Sequence, residues 1–391
     1  MRIAYFSPLP PARSGIADYS RDLLPYLARE MDLTLYAAEP EQVDAALRQQ
    51  FDVRPLAAYP QERWQYDLPL YQMGNSAHHA DLYVMMRRYP GVVVLHDYFL
   101  HHFIAHSTAG QGRYDGYTRE MGYAHGPAGT ALAWAIRAGQ AQHPLTSLPL
   151  NQRVLDLSLG VMVHSRTAAD WVREVMGNGR PVQPIAQPIR PMPGQSRRAE
   201  LGWPDEAVIF ACAGEVTPPK QVDRALRAFS RLRQEMDNLY FLIIGGESPE
   251  VGLDGLIADL GISSSVWRTG FVPDLAAFND WLHTADVVIN LRAPTLGETS
   301  AAALRAMAAA RPLLVYDHGW YGELPETAVT LLPPLDDEAL LAAMRHLAQS
   351  PAVHQAMGQA ALGYIAGQCQ PEQVAGAYHA FLRDLLRALL F

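Results

Sequence analysis

The chain contains the stretch Asp286-Val287-Val288-Ile289-Asn290-Leu291-Arg292-Ala293-Pro294-Thr295-Leu296-Gly297-Glu298-Thr299-Ser300. It is followed by a small-residue run from Ala301 to Ala309 and then by Pro312-Leu313-Leu314-Val315-Tyr316. The apolar run at its start reads as a buried strand, the alanine-rich run as a helix and the second apolar run as another strand. Strand, helix and strand in succession make a parallel α/β unit. Glu298 therefore stands where a strand has ended and a helix is about to begin, the place where open α/β sheets bind ligands. Backbone N–H groups opening that helix would face an anion, and the carboxylate can accept hydrogen bonds from ligand hydroxyls. A glutamate also suits a helix N-terminus with no ligand at all, and both readings stand at this point.

The same alternation runs outward in both directions. In the first half, strands are expected at Arg2–Ser7, Leu33–Tyr36, Leu68–Met73, Val92–His96 and Val161–His164, with helices such as Ala17–Glu30 and Ala77–Arg88 between them. The region from His101 to Leu150 is helical in pattern, rich in Ala, Gly, His and Tyr, and longer than a crossover needs. The segment Gln187-Pro188-Ile189-Arg190-Pro191-Met192-Pro193-Gly194-Gln195-Ser196 continues neither strand nor helix and reads as a linker. After it the pattern restarts at Val208–Ala213 and continues through Tyr240–Ile244, Val266–Thr269, Val287–Leu291, Leu313–Tyr316 and Val329–Leu332. The expectation is an α/β protein with two doubly wound domains, residues 1–188 and 189–370, facing a deep cleft. A final helix over residues 371–391 is expected to pack back on the first domain.

Bulk properties narrow the function. A chain of 391 residues is too long for one ordinary core, and 49% hydrophobic residues suffice for two. A net charge of −9 argues against a general nucleic-acid binder. Cys212 and Cys369 offer neither a disulfide framework nor zinc spacing, so a reducing cytoplasm is the expected compartment. The first residues read as a strand rather than a signal peptide, and no run reaches the ~18 apolar residues of a membrane span. The greasy end Leu389-Leu390-Phe391 leaves peripheral contact with the inner membrane face as the alternative to packing on the protein.

Several residues stand at strand ends. Gly15, in Arg13-Ser14-Gly15-Ile16-Ala17, follows the first strand and would allow close backbone approach or positive φ. Gly214, in Gly214-Glu215-Val216-Thr217-Pro218-Pro219-Lys220, follows the first strand of the second half. Lys220 precedes the helix Gln221–Met236, where an ammonium and helix N–H groups together would neutralise a leaving diphosphate. His96 and Asp97 close the strand Val92–Leu95, and Asn75 and Ser76 close another, where they would contact an acceptor or cap the next helix. Gly245-Gly246 and Thr269-Gly270-Phe271-Val272 end strands of the second half, with backbone near a base or a phosphate, or in plain turns. Histidines 78, 79, 101, 102 and 106 invite a metal reading, but no H-E-x-x-H and no Cys/His ligand spacing occurs, so no metal is expected. There is no Walker A motif and no G-x-S-x-G elbow.

Taken in order, these pieces resemble the GT-B-fold glycosyltransferases of family 4, the retaining, nucleotide-sugar-dependent enzymes. The similarity rests on Pro10 through Ser20, Val94-Leu95-His96-Asp97, Val163-His164-Ser165, Ala213 through Lys220, Thr269-Gly270-Phe271-Val272 and Arg292 through Met307. The resemblance implies that Gly15 lies near the donor phosphates, that His96 contacts the transferred sugar, and that Lys220 contacts the diphosphate. It also implies that Glu298, in Gly297-Glu298-Thr299-Ser300, is the first carboxylate of an E-x7-E motif and holds the sugar. The Thr299 and Ser300 amides would lie near the phosphates. His96, Glu298 and Lys220 are thus the expected catalytic residues. Gly15, Asn75, Asp97, Gly214, Gly270, Phe271, Val272, Gly297, Thr299 and Ser300 are the expected substrate-binding ones. Two departures stand out. Glu215 occupies a place where the family commonly has Arg, and the second carboxylate of E-x7-E is missing, with Arg305 near its place.

The expected activity is transfer of a sugar from a nucleotide diphospho-sugar to an acceptor hydroxyl with retention, without metal or other cofactor. The acceptor would be a glycan, a lipid-linked molecule or a small molecule, and no nucleic-acid partner is expected. A nucleotide-sugar epimerase on the same fold would act on donor alone. A non-catalytic sugar-nucleotide or glycan-binding protein would bind without turnover.

Overall fold

A computed structural model describes residues 1–390, apart from the side chains of residues 178 and 390; Phe391, the last of the apolar C-terminal tip, lies outside it. Thirteen strands form two fully parallel sheets. The first contains β1 (Arg2–Phe6), β2 (Asp32–Ala37), β3 (Asp52–Pro55), β4 (Leu68–Met73), β5 (Gly91–Leu95), β6 (Ser158–Val163) and β7 (Val182–Pro184). Its order is β3-β2-β1-β4-β5-β6-β7. The second contains β8 (Val208–Ala213), β9 (Leu239–Ile244), β10 (Val266–Arg268), β11 (Val287–Ile289), β12 (Leu313–Tyr316) and β13 (Val329–Leu332), ordered β10-β9-β8-β11-β12-β13. In each sheet the chain winds outward from a central strand, then returns to wind the other way. The carboxyl ends of β1 and β4, and of β8 and β11, are therefore the switch points at which such sheets bind ligands.

Parallel sheets need cover on both faces, and the strands of the first sheet supply an apolar residue to each face in turn. Val92 and Val94 of β5 face a core with Leu23 and Leu27 of the helix Gly15–Glu30 and Tyr378 and Leu382 of the C-terminal helix Pro371–Leu390. Val93 and Leu95 face the opposite core, with Phe103, Tyr117 and Met121. The helix Pro371–Leu390 completes the first unit: Tyr19 and Tyr378 share a hydroxyl–hydroxyl bond, and Gly160 of β6 is bare where Phe381 approaches. The second unit has its own core, including Phe210 of β8, Phe241 of β9, and Leu226 and Phe229 of the helix Val222–Arg233.

The chain divides into one unit of residues 1–188, 296–299 and the C-terminal helix, and a second of residues 189–295 and 300–370. The expected division left residues 296–299 in the second domain. They go with the first unit because Gly297, at φ +80°, lays its backbone against Tyr98 and Trp171, and Phe99 N donates to Leu296 O at 3.1 Å. The helix Tyr114–Arg137 is bent at Gly126 (φ 62°, ψ −149°), just before Pro127. The bend returns Arg137 to Asp115, at 3.1 Å.

Candidate functional site

At the switch point of the second unit, the loops leaving β8, β9 and β11 are tied together by backbone. Gly214 N donates to Ile244 O at 2.8 Å and Val216 N to Gly246 O at 2.8 Å, so the β8 exit is held along the β9 exit. Gly214 sits at φ +85° and Gly245 at φ +136°. A Cβ on Gly245 would lie 2.5 Å from Gly214 O, so this backbone approach requires glycine. The β11 exit is fastened to the same loop: Ala293 N donates to Pro219 O at 2.8 Å, and Gln221 Nε2 donates to Ala293 O at 3.2 Å.

Lys220 ends the short turn Pro218–Lys220, and its ammonium folds back to donate to Ala213 O at 3.0 Å. Its Nζ lies 2.6 Å from where a Cβ on Gly214 would be, so the bare glycine makes its seat. Burial, and next the nearby Arg292 guanidinium, lower its pKa from 10.5 to about 8. A cation held among dehydrated surroundings beside a second cation gains from any anion that arrives. Lys220 is also the only lysine in the sequence; the other basic residues are all arginine. That signal was legible in the sequence, and it singles out the position more sharply than its place at a helix start. Arg292 precedes Ala293, whose two hydrogen bonds to the 219–221 turn set it beside Lys220. It supplies a second cation from another strand end. Cys212, on β8 beneath, has its thiol pushed up to about 12 by burial and stays protonated.

Nearby, Gly245 N donates to Thr269 Oγ1 at 3.1 Å and Gly270 takes φ +67°. The next residue, Phe271, is 64% exposed, an uncommon position for a large apolar ring at a loop crest. Arg305 lies half-buried in the helix Ala301–Ala308. Ser300 is the residue that caps this helix, accepting from Ala303 N at 3.2 Å.

Glu298 is not the cap. It is buried in the loop, 6% exposed, and its Oε2 accepts from Leu296 N at 2.6 Å. Thr299 Oγ1 donates to Gln187 Oε1 at 2.9 Å. The dipole reading of Glu298 at the helix terminus therefore does not describe its environment: the carboxylate braces the turn in which Gly297 sits.

At the switch point of the first unit, Ser14 caps the helix Gly15–Glu30, accepting from Ile16 N at 3.2 Å. Gly15 is the first helical residue and does not take positive φ, and a Cβ there would meet nothing within 4 Å. The fold therefore does not require glycine at this position. Gly74 is the constrained one: its Cβ would lie 2.4 Å from Ile16 Cδ1. Asp97 Oδ2 accepts from Asn75 N at 2.8 Å, and Asn75 Oδ1 accepts from Phe103 N at 2.9 Å. Asn75 thus anchors the helix His101–Ser107. Ser76 provides no side-chain cap; its hydroxyl meets His79 Nδ1 at 3.2 Å.

His96 is drawn into a chain of hydrogen bonds. His164 Nδ1 faces Ile185 O at 2.9 Å, His164 Nε2 faces His96 Nδ1 at 3.2 Å, and His96 Nε2 faces Gln72 Oε1 at 2.7 Å. Burial first, then the neighbouring His164, holds the His96 pKa well below the usual histidine range, and burial takes His164 to about 4. Both rings are neutral at pH 7. Proton counting then fixes the tautomers: His164 donates from Nδ1 to the carbonyl and accepts at Nε2 from His96 Nδ1. The lone pair on His96 Nε2 then needs a donor, which the Gln72 carboxamide supplies once its oxygen and nitrogen, which exchange by a half-turn of the amide, are interchanged. That turn brings the carboxamide oxygen to the Tyr5 and Tyr378 hydroxyls. Sequence reasoning found His96 but not these partners. Register would have shown them, because Leu95 pairs with Val163 and Gln72 with Val94 across the ladder.

Among the described residues no group of three or more His, Cys, Asp or Glu side chains is placed to hold a metal ion. No helix among them is long and apolar enough to cross a membrane.

Comparison with known proteins bears on the fold and on part of the second unit. Residues 207–350 match the family described as Glycosyl transferases group 1. The D-inositol 3-phosphate glycosyltransferase of Streptomyces avermitilis is 33% identical over 192 residues, which cover 44% of this chain and 39% of that protein. The Streptomyces coelicolor protein of the same name is 32% identical over 44% of this chain and 40% of its own length. The matched region therefore spans about two fifths of these curated relatives. Among solved structures, Anabaena HepE in complex with UDP is similar with a TM-score of 0.68 at 15% identity, over 98% of this chain and 100% of that one. Sucrose-phosphate synthase from Thermosynechococcus elongatus is similar with a TM-score of 0.69 at 17% identity, over 99% and 100%. The fold is GT-B, and residues 207–350, nearly all within the second unit, carry the similarity to the group 1 glycosyl transferases.

Proposed function

We propose that the protein transfers a sugar from a nucleotide diphospho-sugar to an acceptor hydroxyl, with retention at the anomeric carbon, as a member of glycosyltransferase family 4. The observation that carries this reading is the single lysine, seated on Gly214 beside Arg292 at the switch point of the second sheet. Transfer breaks the bond from the anomeric carbon to the diphosphate and forms one to the acceptor oxygen. The acceptor proton passes to the departing diphosphate. Charge develops on that diphosphate, and a preorganised ammonium and guanidinium stabilise it more in the transition state than in the ground state.

The other roles follow the family resemblance. Glu298, braced by the Leu296 amide, accepts hydroxyls of the transferred sugar. His96 fixes the sugar too, and it meets a hydroxyl only by giving up its Gln72 partner. Gly270 and Val272 offer backbone, and Phe271 a ring face, to the base. Similarity to HepE, whose structure is described in complex with UDP-glucose, makes UDP-glucose the first donor to test. Thermal shift with UDP, GDP and ADP identifies the base, since only a ligand of the folded state stabilises it. Donor consumption with and without an acceptor mixture then separates the readings. Acceptor-dependent release of the nucleotide is expected. An epimer formed from donor alone, or binding with no turnover across the donor panel, would contradict transfer.

A further inference from the structure

A cavity of about 530 Å³ opens in the first unit, among the helices Ala80–Arg88, His101–Ser107, Tyr114–Arg137 and Gln152–Leu157. Its size falls within the ~300–1,000 Å³ of small-molecule sites. Five arginines line it: Arg87, Arg113, Arg119, Arg137 and Arg153. Its acids are Asp81, Asp115 and Glu120. Two of these are already neutralised, Asp115 by Arg137 at 3.1 Å and Glu120 by Arg153 at 2.7 Å. Among the described residues Arg87, Arg113 and Arg119 make no ion pair. Arg113 donates to Ser107 O at 2.6 Å and Arg87 lies over the Tyr83 ring at 5.8 Å.

Three exposed guanidiniums without carboxylate partners gather around one cavity in a protein whose net charge is −9. Like charges repel, and the chain has acidic side chains in excess to relieve them. The cluster is what a multivalent anion would require, because a guanidinium binds phosphate or carboxylate oxygens in pairs. Val84, which lines the cavity and is 47% exposed, adds an apolar surface on which the C–H face of a sugar ring can lie. Through Asp81 the cavity adjoins a second one, of about 430 Å³, formed by Ser7 to Ala12 beyond β1 and Ala37 to Glu39 beyond β2. A molecule held by the arginines would extend toward the carboxyl edge of the sheet.

We propose that this cavity binds an anionic sugar, charged through a phosphate or a carboxylate, and that it selects the acceptor. The acceptor role rests on the transferase reading; the binding site does not. The test is calorimetric titration of the full-length protein with glucose 6-phosphate, glucuronate, glucose and inorganic phosphate, repeated on the double variant R87A/R119A, whose side chains are both exposed. One or both anionic sugars should bind, and ~0.5 M salt should weaken them by screening. Glucose should not bind. The double variant should lose at least ten-fold in affinity while its UDP-induced thermal shift stays unchanged. Binding of neither anionic sugar, equal binding by glucose or by phosphate alone, or an unaltered affinity in the variant would each overturn the proposal. Anionic sugars that bind to a protein showing no nucleotide binding would leave the cavity standing and remove the transferase reading.

Discussion

The two sheets share one winding scheme, yet their switch points are dressed in opposite ways. Beyond β8 and β11 the structure brings together two cations, Lys220 and Arg292. At the ends of β4, β5 and β6 it gathers Gln72, His96 and His164, bonds them to one another and keeps the two histidines neutral by burial. The topology decides where a ligand sits, and the side chains decide which part of it. A cationic edge suits a diphosphate. A neutral edge that exchanges hydrogen bonds suits hydroxyls, because burying a charge against a sugar would cost more than it returns.

The contrast breaks most sharply at Lys220. Replacing it by alanine should lower turnover by about 10²–10³-fold, with a melting temperature within a few degrees of wild type. Lys220→Arg should not restore it, because the seat on Gly214 admits a single ammonium. Steady-state rates on the identified donor decide this, and near-normal turnover in Lys220→Ala would remove the diphosphate role.

Next in size is a pH effect confined to the cationic edge. The ammonium with its pKa near 8 is charged below that value and loses its proton above it. Nucleotide affinity should therefore be flat from pH 6.5 to 7.5 and fall ~10-fold by pH 9, a loss that disappears in a Lys220→Ala variant already weak at pH 7. Calorimetric titrations across that range would show it.

Two glycines sharpen the account on the stability side. Gly297→Ala forces a Cβ to 2.5 Å from Tyr98 Cβ at φ +80° and should cost about 1–3 kcal/mol in chemical unfolding. Gly15→Ala, with no atom in its way, should stay within about 0.5 kcal/mol. If Gly15→Ala nonetheless reduces nucleotide or acceptor binding, the glycine serves the ligand rather than the fold.

A second pH effect belongs to the neutral edge. His164 has a folded pKa near 4 against 6.5 unfolded, so the unfolded chain takes up more protons between those values. Its contribution is complete above pH 6.5 and is lost as pH falls toward 4, at up to about 1.4 kcal/mol per pH unit. His164→Asn should flatten that part of the stability profile. An unchanged slope would mean that the pair is already charged in the folded state.

The interior strands were legible in the sequence because burial on both faces makes them continuous apolar runs. The two strands that were not, β3 and β7, are sheet edges. Asp52-Val53-Arg54-Pro55 is half exposed and Val182–Pro184 is three residues long, so neither carries an apolar run. Candidate site residues set by position along one segment, such as Lys220 and Glu298, could be picked from the sequence directly. Those set by pairing could not: the His96–His164 contact needs the ladder register, and Arg292 meets Lys220 only through the Ala293 clamp. The arginine-lined cavity depends on the bend at Gly126, which folds one helical pattern back on itself. Gly126-Pro127 marks that bend in the sequence, but not which side chains it brings together.

The central claim is a lowered ammonium that receives a diphosphate, and a single lysine makes it directly observable. Reductive methylation with carbon-13 formaldehyde labels that side chain and the chain terminus alone, and NMR follows each through pH. The account predicts that the Lys220 signal titrates near 8 and moves upward by a unit or more when UDP, or whichever nucleotide stabilises the protein, is bound. A signal that titrates near the ordinary lysine value of about 10.4, and does not respond to the nucleotide, would contradict it.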